Sequence, residues 1–369
     1  MQNISSIRRK YRPGAIGILL FIFVLIAVAV SINPVLAQTK QVNINGAGAT
    51  FPQPLYSKWA GEYMRISSDV ITYQGVGSGA GIAQIKAGVV DFGASDEPLE
   101  ADELQKHGLV QFPLIMGAVV PVFNLEGIGK GKLRITPELL ADIFLGKIKM
   151  WNDRRIMAVN QGLRLPEIEI TVAHRADGSG TTWILTKYLS KVSTEWRSKI
   201  GNHKSVSWAT GIGARGNQGM SELVKKTPGS IGYVEYAYAF REKLSYAQLQ
   251  NASGRFVGPN MDTFKAAAIN AVWEENNGFS TDLTDQPGEK SWPIMGASYI
   301  LIAKNQADRN NASAMLKFFD WSFRNGGDMA IKLLYVPIPQ TVYKRVLSMW
   351  SKEILYNEQP LWRVHAADD

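Results

Sequence analysis

The stretch EIEITVAHRADGSGTTWILTKYL, residues 167–189, runs from an apolar strand segment through a turn of glycine, serine and threonine into a helix. The same order of segments recurs in VNINGAGATFPQPLYSKWAGEY at 42–63 and in VITYQGVGSGAGIAQIKAG at 70–88. A helix N-terminus presents unpaired backbone N–H groups, and its peptide dipoles favour negative charge. Three such junctions in one chain predict that several helix ends converge on one small oxyanion.

Strand and helix segments alternate outward from these junctions along most of the chain. Between Gln41 and Phe112 the apolar segments QVNING, DVITYQG and VVDFGAS are separated by helical segments, the first of which begins at Pro52. A second set follows, in which ASYILIA at 297–303 is typical of a buried strand ahead of two amphipathic helices. The alternation predicts an α/β fold of βα units, with a parallel-type sheet covered on both faces.

Two proline-marked connectors are candidate crossings between lobes. They are Phe112-Pro113 and Trp292-Pro293. Without its N-terminal segment the chain keeps about 330 residues, enough for two domains with cores of their own. We therefore expect two α/β lobes that face each other across a cleft. The predicted boundaries are 38–115 with 293–369 for the first lobe and 116–292 for the second.

The first 37 residues have the three-part layout of a secretory signal peptide. Basic residues and no acid precede the apolar run Ile16–Val30, and Val35 and Ala37 are placed as the small residues before a cleavage point at Gln38. An uncleaved membrane anchor is the alternative, but the run is shorter than the roughly 20 residues that a spanning helix needs. We expect residues 1–37 to be removed and the mature protein to reach the periplasm.

Charge and cysteine content exclude several classes of function. Residues 1–37 hold four basic residues and no acid, so their removal lowers the formal net charge from +8 to +4. That surplus can steer anions but lacks the Lys/Arg runs of a nucleic-acid footprint, so no nucleic-acid partner is expected. The chain has no cysteine, which excludes disulfides, thiol catalysis and lipid attachment at an N-terminal cysteine.

The turn HRADGSGTT holds the residues best suited to an oxyanion. Arg175 stands at a strand end, and Asp177 lies two residues on, in position to hold its guanidinium. Ser179, Gly180 and Thr181 then open a helix with hydroxyl and N–H donors. A rigid arginine fork beside a helix N-terminus suits an oxyanion, because charge-assisted bonds to arginine are strong and geometrically specific. The alternative is an Arg–Asp pair that only ties down a loop.

Three further residues have both a binding and a structural interpretation. Thr50 in GAGATFP and Ser78 in QGVGSGAG stand at helix starts, where the structural role is a helix cap and the binding role is donation to an anion. Asp96 in VDFGASDEPL follows small residues at a strand end. Its structural interpretation is an N-cap for a helix that starts near Pro98 or Glu100.

Motifs for enzymes are incomplete. GASDE and DGSG each lack one glycine of a GxSxG nucleophile elbow, and histidines at 107, 174, 203 and 365 lack metal-ligand spacing. No GxxxxGK[ST] loop is present, and GIGARG from Gly211 to Gly216 matches GxGxxG by letters only. We interpret GIGARG as a surface loop ahead of a helix, and we expect no enzyme activity, no metal and no cofactor.

Six strings stand along the chain in a characteristic order. They are NGAGATFP, YQGVGSGAGIAQI, VDFGASDEPL, FLGKIKMWND, HRADGSGTT and PGSIGYVEYAYA. Together they closely resemble the phosphate-binding proteins of bacterial phosphate-specific ABC transporters, over residues 44–350. The resemblance implies the two-lobed periplasmic-binding-protein fold of type II, with the ligand in the interlobe cleft.

The resemblance also implies which residues contact phosphate. Phe51 and Gly180 are implied to contribute backbone N–H groups, and Asp177 to orient the arginine. Two departures are visible, since His174 stands where relatives often have another basic residue and Gly79 replaces a hydroxyl residue. The implied phosphate-binding residues are Thr50, Phe51, Ser78, Asp96, Arg175, Ser179, Gly180 and Thr181.

Asp96 has a physical role in this interpretation. A carboxylate is repelled by a fully ionised anion but can accept a hydrogen bond from the proton that phosphate still carries near neutral pH. Sulfate has no such proton, so a buried like charge would stay unpaired at a cost of several kcal/mol. We therefore expect Asp96 to reject sulfate as well as to bind phosphate.

The sequence thus predicts a monomeric periplasmic protein that binds inorganic phosphate and delivers it to the membrane permease subunits of an ABC transporter. Its lobes would close by a hinge near Phe112-Pro113 and Trp292-Pro293. Two alternatives remain at this point. One is a binding protein for another tetrahedral oxyanion, such as sulfate or molybdate. The other is a secreted phosphatase or a surface-attached phosphate-scavenging protein.

Overall fold

The structure, a computed structural model, describes residues 41–363. A ten-stranded sheet forms the centre of this part of the chain. The predicted signal peptide, residues 1–37, lies outside these residues. The strands are β1 Asn43–Gly48, β2 Val70–Gly75, β3 Phe92–Ser95, β4 Leu109–Phe123, β5 Arg134–Ile135, β6 Thr171–Arg175, β7 Ile212–Ala214, β8 Ser230–Glu235, β9 Ser245–Tyr246, β10 Gln248–Gln250, β11 Phe256–Val257, β12 Met295–Ala303, β13 Val336–Pro337, β14 Leu355–Tyr356 and β15 Gln359–Pro360. The helices are α1 Gln53–Ser67, α2 Ser78–Lys86, α3 Ala101–Lys106, α4 Pro137–Phe144, α5 Arg154–Val159, α6 Gly180–Val192, α7 Thr194–Lys199, α8 Gly216–Lys226, α9 Tyr236–Arg241, α10 Met261–Ala268, α11 Arg309–Asn325, α12 Gly327–Lys332 and α13 Gln340–Glu353, with a 3-10 turn at Glu275–Asn277.

The strand order explains how two groups of βα units share one sheet. The order is β2-β1-β3-β12-β4-β8-β6-β7, with β9 and β13 also paired to β4. Strand β1 is parallel to β2 and β3, and β6 is parallel to β7 and β8. Strand β12 pairs antiparallel with β3 and β4, and β4 pairs antiparallel with β8. The predicted α/β class is confirmed, but the sheet is mixed, because β4 and β12 join two parallel groups.

Strand β4 corrects one sequence prediction. Phe112-Pro113 was expected to be a connector, yet both residues lie inside a single strand of 15 buried residues. Opposite Pro113 the β4–β12 register shifts between Ser298 and Tyr299. Proline has no N–H for the ladder, so a bulge accommodates it without ending the strand. The apolar segments on either side of Pro113 therefore form one strand.

The change of partner along β4 joins the two parallel groups of strands. Pairing with β12 extends to Ala118, and pairing with β8 begins at Val119. Beside this point runs the second proline-marked segment. The Trp292 Nε1–H donates to the Val119 carbonyl at 3.0 Å, and the Val119 N–H donates to the Ile294 carbonyl at 2.9 Å. The point where β4 changes partner and the Trp292-Pro293 segment thus lie side by side at Val119.

The predicted C-terminal helices cover one face of the sheet with aromatic rings. Phe319 of α11 meets Phe92 of β3 and Phe112 of β4 at ring-centroid distances of 5.2 and 5.5 Å. Trp350 of α13 meets Phe112 edge-on at 5.1 Å. Such edge-to-face pairs add to the free energy of area burial. Within residues 41–363, no helix combines the length and apolarity needed to cross a membrane.

Candidate oxyanion-binding site

The three predicted strand–turn–helix junctions are present. Strands β1, β2 and β6 each end just before the turn that opens α1, α2 and α6, respectively. Ligands of α/β sheets bind outside the carboxyl ends of strands, where such turns gather. The predicted binding residues are all buried: Thr50, Phe51, Ser78, Asp96, Arg175, Ser179, Gly180 and Thr181.

Direct contacts join the start of α2 to the start of α6. The Gly180 N–H donates to Ser78 Oγ at 3.0 Å, and the Asp96 N–H donates to the same oxygen at 3.3 Å. The Gly79 N–H donates to the Gly178 carbonyl at 2.9 Å. A Cβ atom on Gly180 would lie 2.4 Å from Asp96 Cβ, closer than real atoms approach. Asp96 and the N-terminus of α6 therefore lie against each other.

Arg175 and Asp177 form the fork that the sequence predicts. Arg175 Nε donates to Asp177 Oδ1 at 2.7 Å, and its Nη2 donates to Oδ2 at 2.5 Å. Burial favours the neutral acid, but the Arg175 guanidinium and the Gly216 N–H outweigh it and lower the pKa of Asp177 below its ordinary value. The third nitrogen, Arg175 Nη1, is buried and has no hydrogen-bond partner among residues 41–363. Its N–H groups are therefore available to donate to a ligand.

Asp96 is a buried carboxyl with one unpaired oxygen. The residue is 1% exposed, and Oδ1 has no hydrogen-bond partner in the described part of the chain. Burial raises the pKa of Asp96 to about 7, although the nearby Ser298 hydroxyl and Arg175 guanidinium act to lower it. A carboxyl with that pKa exchanges a proton near neutral pH. The structural alternative for Asp96 is wrong, because the N-cap of α3 is Glu100.

The helix N-caps show which of Thr50, Ser78 and Ser179 has the structural role of a cap. Pro52 occupies the N-cap position of α1 and Gly77 that of α2, so neither Thr50 nor Ser78 is a cap. Ser179 is the N-cap of α6, and its Oγ accepts the Thr182 N–H at 3.1 Å. The hydroxyls of Thr50 and Ser78 are therefore not used for helix capping.

Asn217 belongs to this cluster although the sequence analysis missed it. Its N–H and Nδ2 donate to Thr50 Oγ1 at 3.1 and 2.9 Å, and Nδ2 also donates to Thr181 Oγ1 at 3.3 Å. The interpretation of GIGARG as a surface loop ahead of a helix is confirmed for its exposure and for the helix that Gly216 opens, but Ile212–Ala214 is strand β7 beside β6 and not a loop. The available signal was a fourth strand–turn–helix junction.

A second missed group lies behind Phe51. The Tyr335 hydroxyl is 2.7 Å from the Phe51 carbonyl and 3.0 Å from Glu235 Oε2. The Tyr238 hydroxyl donates to the Thr50 carbonyl at 2.7 Å. Burial raises the pKa of Glu235 well above its ordinary value, although hydrogen bonds from Tyr335 and the Ala237 N–H act to lower it. These side chains hold the turn after β1 in place.

The two departures from the family pattern have local explanations. A Cβ on Gly79 would lie 3.2 Å from Gly178 Cα, so the glycine lets two turns approach closely. His174 stacks on Trp208 with ring centroids 4.9 Å apart, and burial lowers its pKa despite the adjacent Arg175 carbonyl. Gly79 thus serves close packing, and the lowered pKa of His174 favours its neutral form.

The chemistry available here is hydrogen bonding to a small anion. Backbone N–H groups, hydroxyls and an arginine supply donors, and Asp96 supplies an acceptor. Within the described range no group of three histidine, aspartate and glutamate side chains could hold a metal ion. A two-lobed α/β fold with such a site defines a binding protein for a small oxyanion.

Comparison with known proteins gives the family. A sequence model of the PBP superfamily domain matches residues 34–325. The phosphate-binding protein PstS of Xylella fastidiosa (strain 9a5c) is 50% identical over 87% of this chain and 88% of its own, and PstS of Haemophilus influenzae is 49% identical over 85% and 93%. The chain belongs to the PBP superfamily and, within it, to the family of the PstS phosphate-binding proteins.

Solved structures agree with this assignment at the level of the fold. The high-affinity periplasmic phosphate-binding protein PfluDING, solved with bound phosphate, has a TM-score of 0.68 to this chain. The two share 22% identity, and the match covers 88% of this chain and 100% of the other. The DING protein crystal structure has a TM-score of 0.70 at 20% identity, covering 87% of this chain and 98% of the other. The two-lobed fold is thus shared at low identity.

Proposed function

We propose that this protein binds inorganic phosphate with high affinity in the periplasm and delivers it to the membrane permease of an ABC transporter. One observation carries the proposal. The buried site holds an arginine nitrogen and a carboxyl oxygen, Arg175 Nη1 and Asp96 Oδ1, that both lack partners among the described residues. The first suits the charge of an oxyanion, and the second suits a proton on that anion. Membership of the PstS family supports the same ligand.

The geometry supports the ligand shell of this proposal. Arg175 donates from Nη1 while Asp177 holds the rest of its fork. Phe51, at the turn before α1, and Gly180, in the first turn of α6, supply backbone N–H groups, the second by exchanging its hydrogen bond to Ser78 Oγ for one to the anion. The positive end of the helix dipole favours the anion. The binding residues are Thr50, Phe51, Ser78, Asp96, Arg175, Ser179, Gly180 and Thr181, with Asp177 as the residue that orients the arginine.

The division into lobes also belongs to the proposal. Residues 38–115 with 293–369 form one lobe and 116–292 the other, and the chain passes between them where β4 changes partner at Val119. Lys204 and Glu97 come from opposite sides of this division, and Lys204 Nζ lies 2.7 Å from Glu97 Oε2. The lobes close on phosphate by rotation about Val119 and the neighbouring Trp292 segment.

Titration calorimetry of residues 38–369 with phosphate, sulfate and molybdate tests the function. We expect phosphate to bind with a dissociation constant on the order of 1 μM or below, since many donors converge on one small ligand. Sulfate and molybdate should bind far more weakly. Equal affinity for sulfate would contradict the proposal, and release of phosphate from an ester would assign an enzyme instead. Periplasmic protein without lipid, beginning near Gln38 by mass spectrometry, would support the location.

A further inference from the structure

Asn217 uses every polar group of its side chain inside the site. The residue is fully buried in the first turn of α8. Its Nδ2 donates to Thr50 Oγ1 and to Thr181 Oγ1, and its Oδ1 accepts the Glu235 N–H at 2.9 Å. Thr50 and Thr181 are far apart in the sequence and belong to different junctions. One asparagine therefore connects two of the proposed phosphate-binding hydroxyls.

The hydrogen bonds of Thr50 decide whether its hydroxyl can donate to a ligand or accept from it. A hydroxyl has one hydrogen to donate and two lone pairs to accept with. Thr50 Oγ1 already accepts two hydrogen bonds from Asn217, one from the N–H at 3.1 Å and one from Nδ2 at 2.9 Å. Both lone pairs are then used. The hydroxyl of Thr50 is left with its hydrogen alone, so it can act toward a ligand only as a donor.

The Ser78 hydroxyl is restricted in the same sense because both of its lone pairs accept, whereas the hydroxyls of Ser179 and Thr181 each accept one hydrogen bond. Ser78 Oγ accepts the N–H groups of Gly180 and Asp96, and Ser179 Oγ accepts the Thr182 N–H. Asp96 Oδ1 is the contrasting group, a buried acceptor without a partner among residues 41–363. The site therefore holds hydroxyls that can only donate beside one unpaired acceptor, Asp96 Oδ1. Asn217 adds Thr50 to the hydroxyls that can only donate.

We propose that Asn217 is a positioning residue of the phosphate site that fixes the hydroxyl of Thr50 as a hydrogen-bond donor to the bound anion. The inference rests on the proposed function. It identifies a specificity determinant outside the set of residues that contact phosphate. A phosphate oxygen that carries no proton is matched to the Thr50 hydroxyl, and the protonated oxygen is matched to Asp96.

A double-mutant cycle tests whether Asn217 acts through Thr50. The proteins are the parent, Asn217→Ala, Thr50→Val and the double variant, each titrated with phosphate at pH 8. We expect Asn217→Ala to weaken binding at least about tenfold in the parent, and by at most about a third of that factor in the Thr50→Val background. Equal factors in both backgrounds, or parent-like binding by Asn217→Ala, would overturn the inference.

Two further variants separate positioning from folding. Asn217→Asp keeps the shape of the side chain and the oxygen that accepts the Glu235 N–H, but removes the Nδ2 donor. It also adds a buried carboxylate that repels the anion in both backgrounds, so the test is the ratio of its two effects, and the factor should be smaller in the Thr50→Val background. An effect that does not shrink overturns the proposal.

Asn160→Ala is the matched control. Asn160 is another buried asparagine with three side-chain hydrogen bonds, to Arg134 and Ile156, away from the site. Its removal should lower the thermal midpoint and leave phosphate affinity within about twofold of the parent. If Asn160→Ala weakens binding as much as Asn217→Ala, loss of stability explains both and the inference fails. A parent that does not bind phosphate at all would instead refute the proposed function.

Discussion

Arg175 is a cation with a 1% exposed side chain and a single carboxylate partner, Asp177. Removal of the guanidinium takes the charged partner away from a desolvated anion. We expect Arg175→Ala to weaken phosphate binding by about 2 to 5 kcal/mol. Asp177→Asn should cost less, because it loosens the fork without deleting it. Titration calorimetry measures both, with the exposed Arg197→Ala as the control. Parent-like binding by both site variants would show that the site is elsewhere.

Asp96 is predicted to set the choice between phosphate and sulfate. Asp96→Asn keeps the shape of the side chain, removes the negative charge and supplies a donor. Sulfate binding should therefore rise relative to phosphate binding, by a factor of about ten or more, because a buried like charge is no longer present. Paired titrations of parent and variant with both anions at pH 8, above the pKa of about 7 of the Asp96 carboxyl, give the ratio. An unchanged ratio would move the discrimination to another group in the cleft.

The raised pKa of Asp96 also makes a prediction for stability. In the unfolded chain this carboxyl ionises near pH 3.8, whereas in the folded, ligand-free protein it keeps its proton until about pH 7. The unfolded state releases the proton first, so the stability contributed below pH 3.8 is lost as the pH rises to 7. Asp96→Asn should therefore become more stable than the parent over this window, by about 2 to 4 kcal/mol. Urea unfolding at pH 4 and pH 8 measures the difference, and a gap that does not widen would contradict the assigned pKa.

At the scale of elements, the site depends on how closely the first turn of α6 approaches the turn after β3. A Cβ on Gly180 would meet Asp96 Cβ at 2.4 Å and Ser78 Oγ at 2.7 Å. Gly180→Ala is thus expected to push these elements apart and to weaken phosphate binding at least about tenfold, although alanine favours helices. The control is Gly61→Ala in α1, where a Cβ meets nothing within 4 Å. That variant should gain about 0.5 to 1 kcal/mol of stability without a change in affinity. Tight phosphate binding by Gly180→Ala would show that the approach is not required.

For the whole molecule, closure is the property to measure. The Gly79–Gly178 hydrogen bond and the Lys204–Glu97 ion pair both join residues from the two proposed lobes. If these contacts belong to the closed form, phosphate should shift the population toward it. We expect the radius of gyration from small-angle X-ray scattering to fall when phosphate is added to the parent. Arg175→Ala at the same phosphate concentration should show no change. An identical radius with and without phosphate would argue against hinge closure.

The local structure of this protein can be predicted from its sequence. Apolar periodicity and turn residues predict the strands, the helices and the junctions, because those features depend on neighbours along the chain. The helix start at Pro52, the buried strand that became β12 and the two amphipathic C-terminal helices are confirmed. The α/β class and the family also follow from sequence. The roles of the site residues stay predictions.

Contacts between segments that are distant in the sequence are visible only in the tertiary structure. Pairing with β12 and β8 makes β4 one strand through Pro113, since a bulge absorbs the proline that a local pattern treats as a break. Asn217 joins the site only because β7 lies beside β6 and aims the start of α8 at Thr50. The raised pKa of Asp96 likewise comes from burial, which is a property of packing. A single sequence encodes such long-range contacts without displaying them, because register and burial are decided by the whole chain at once.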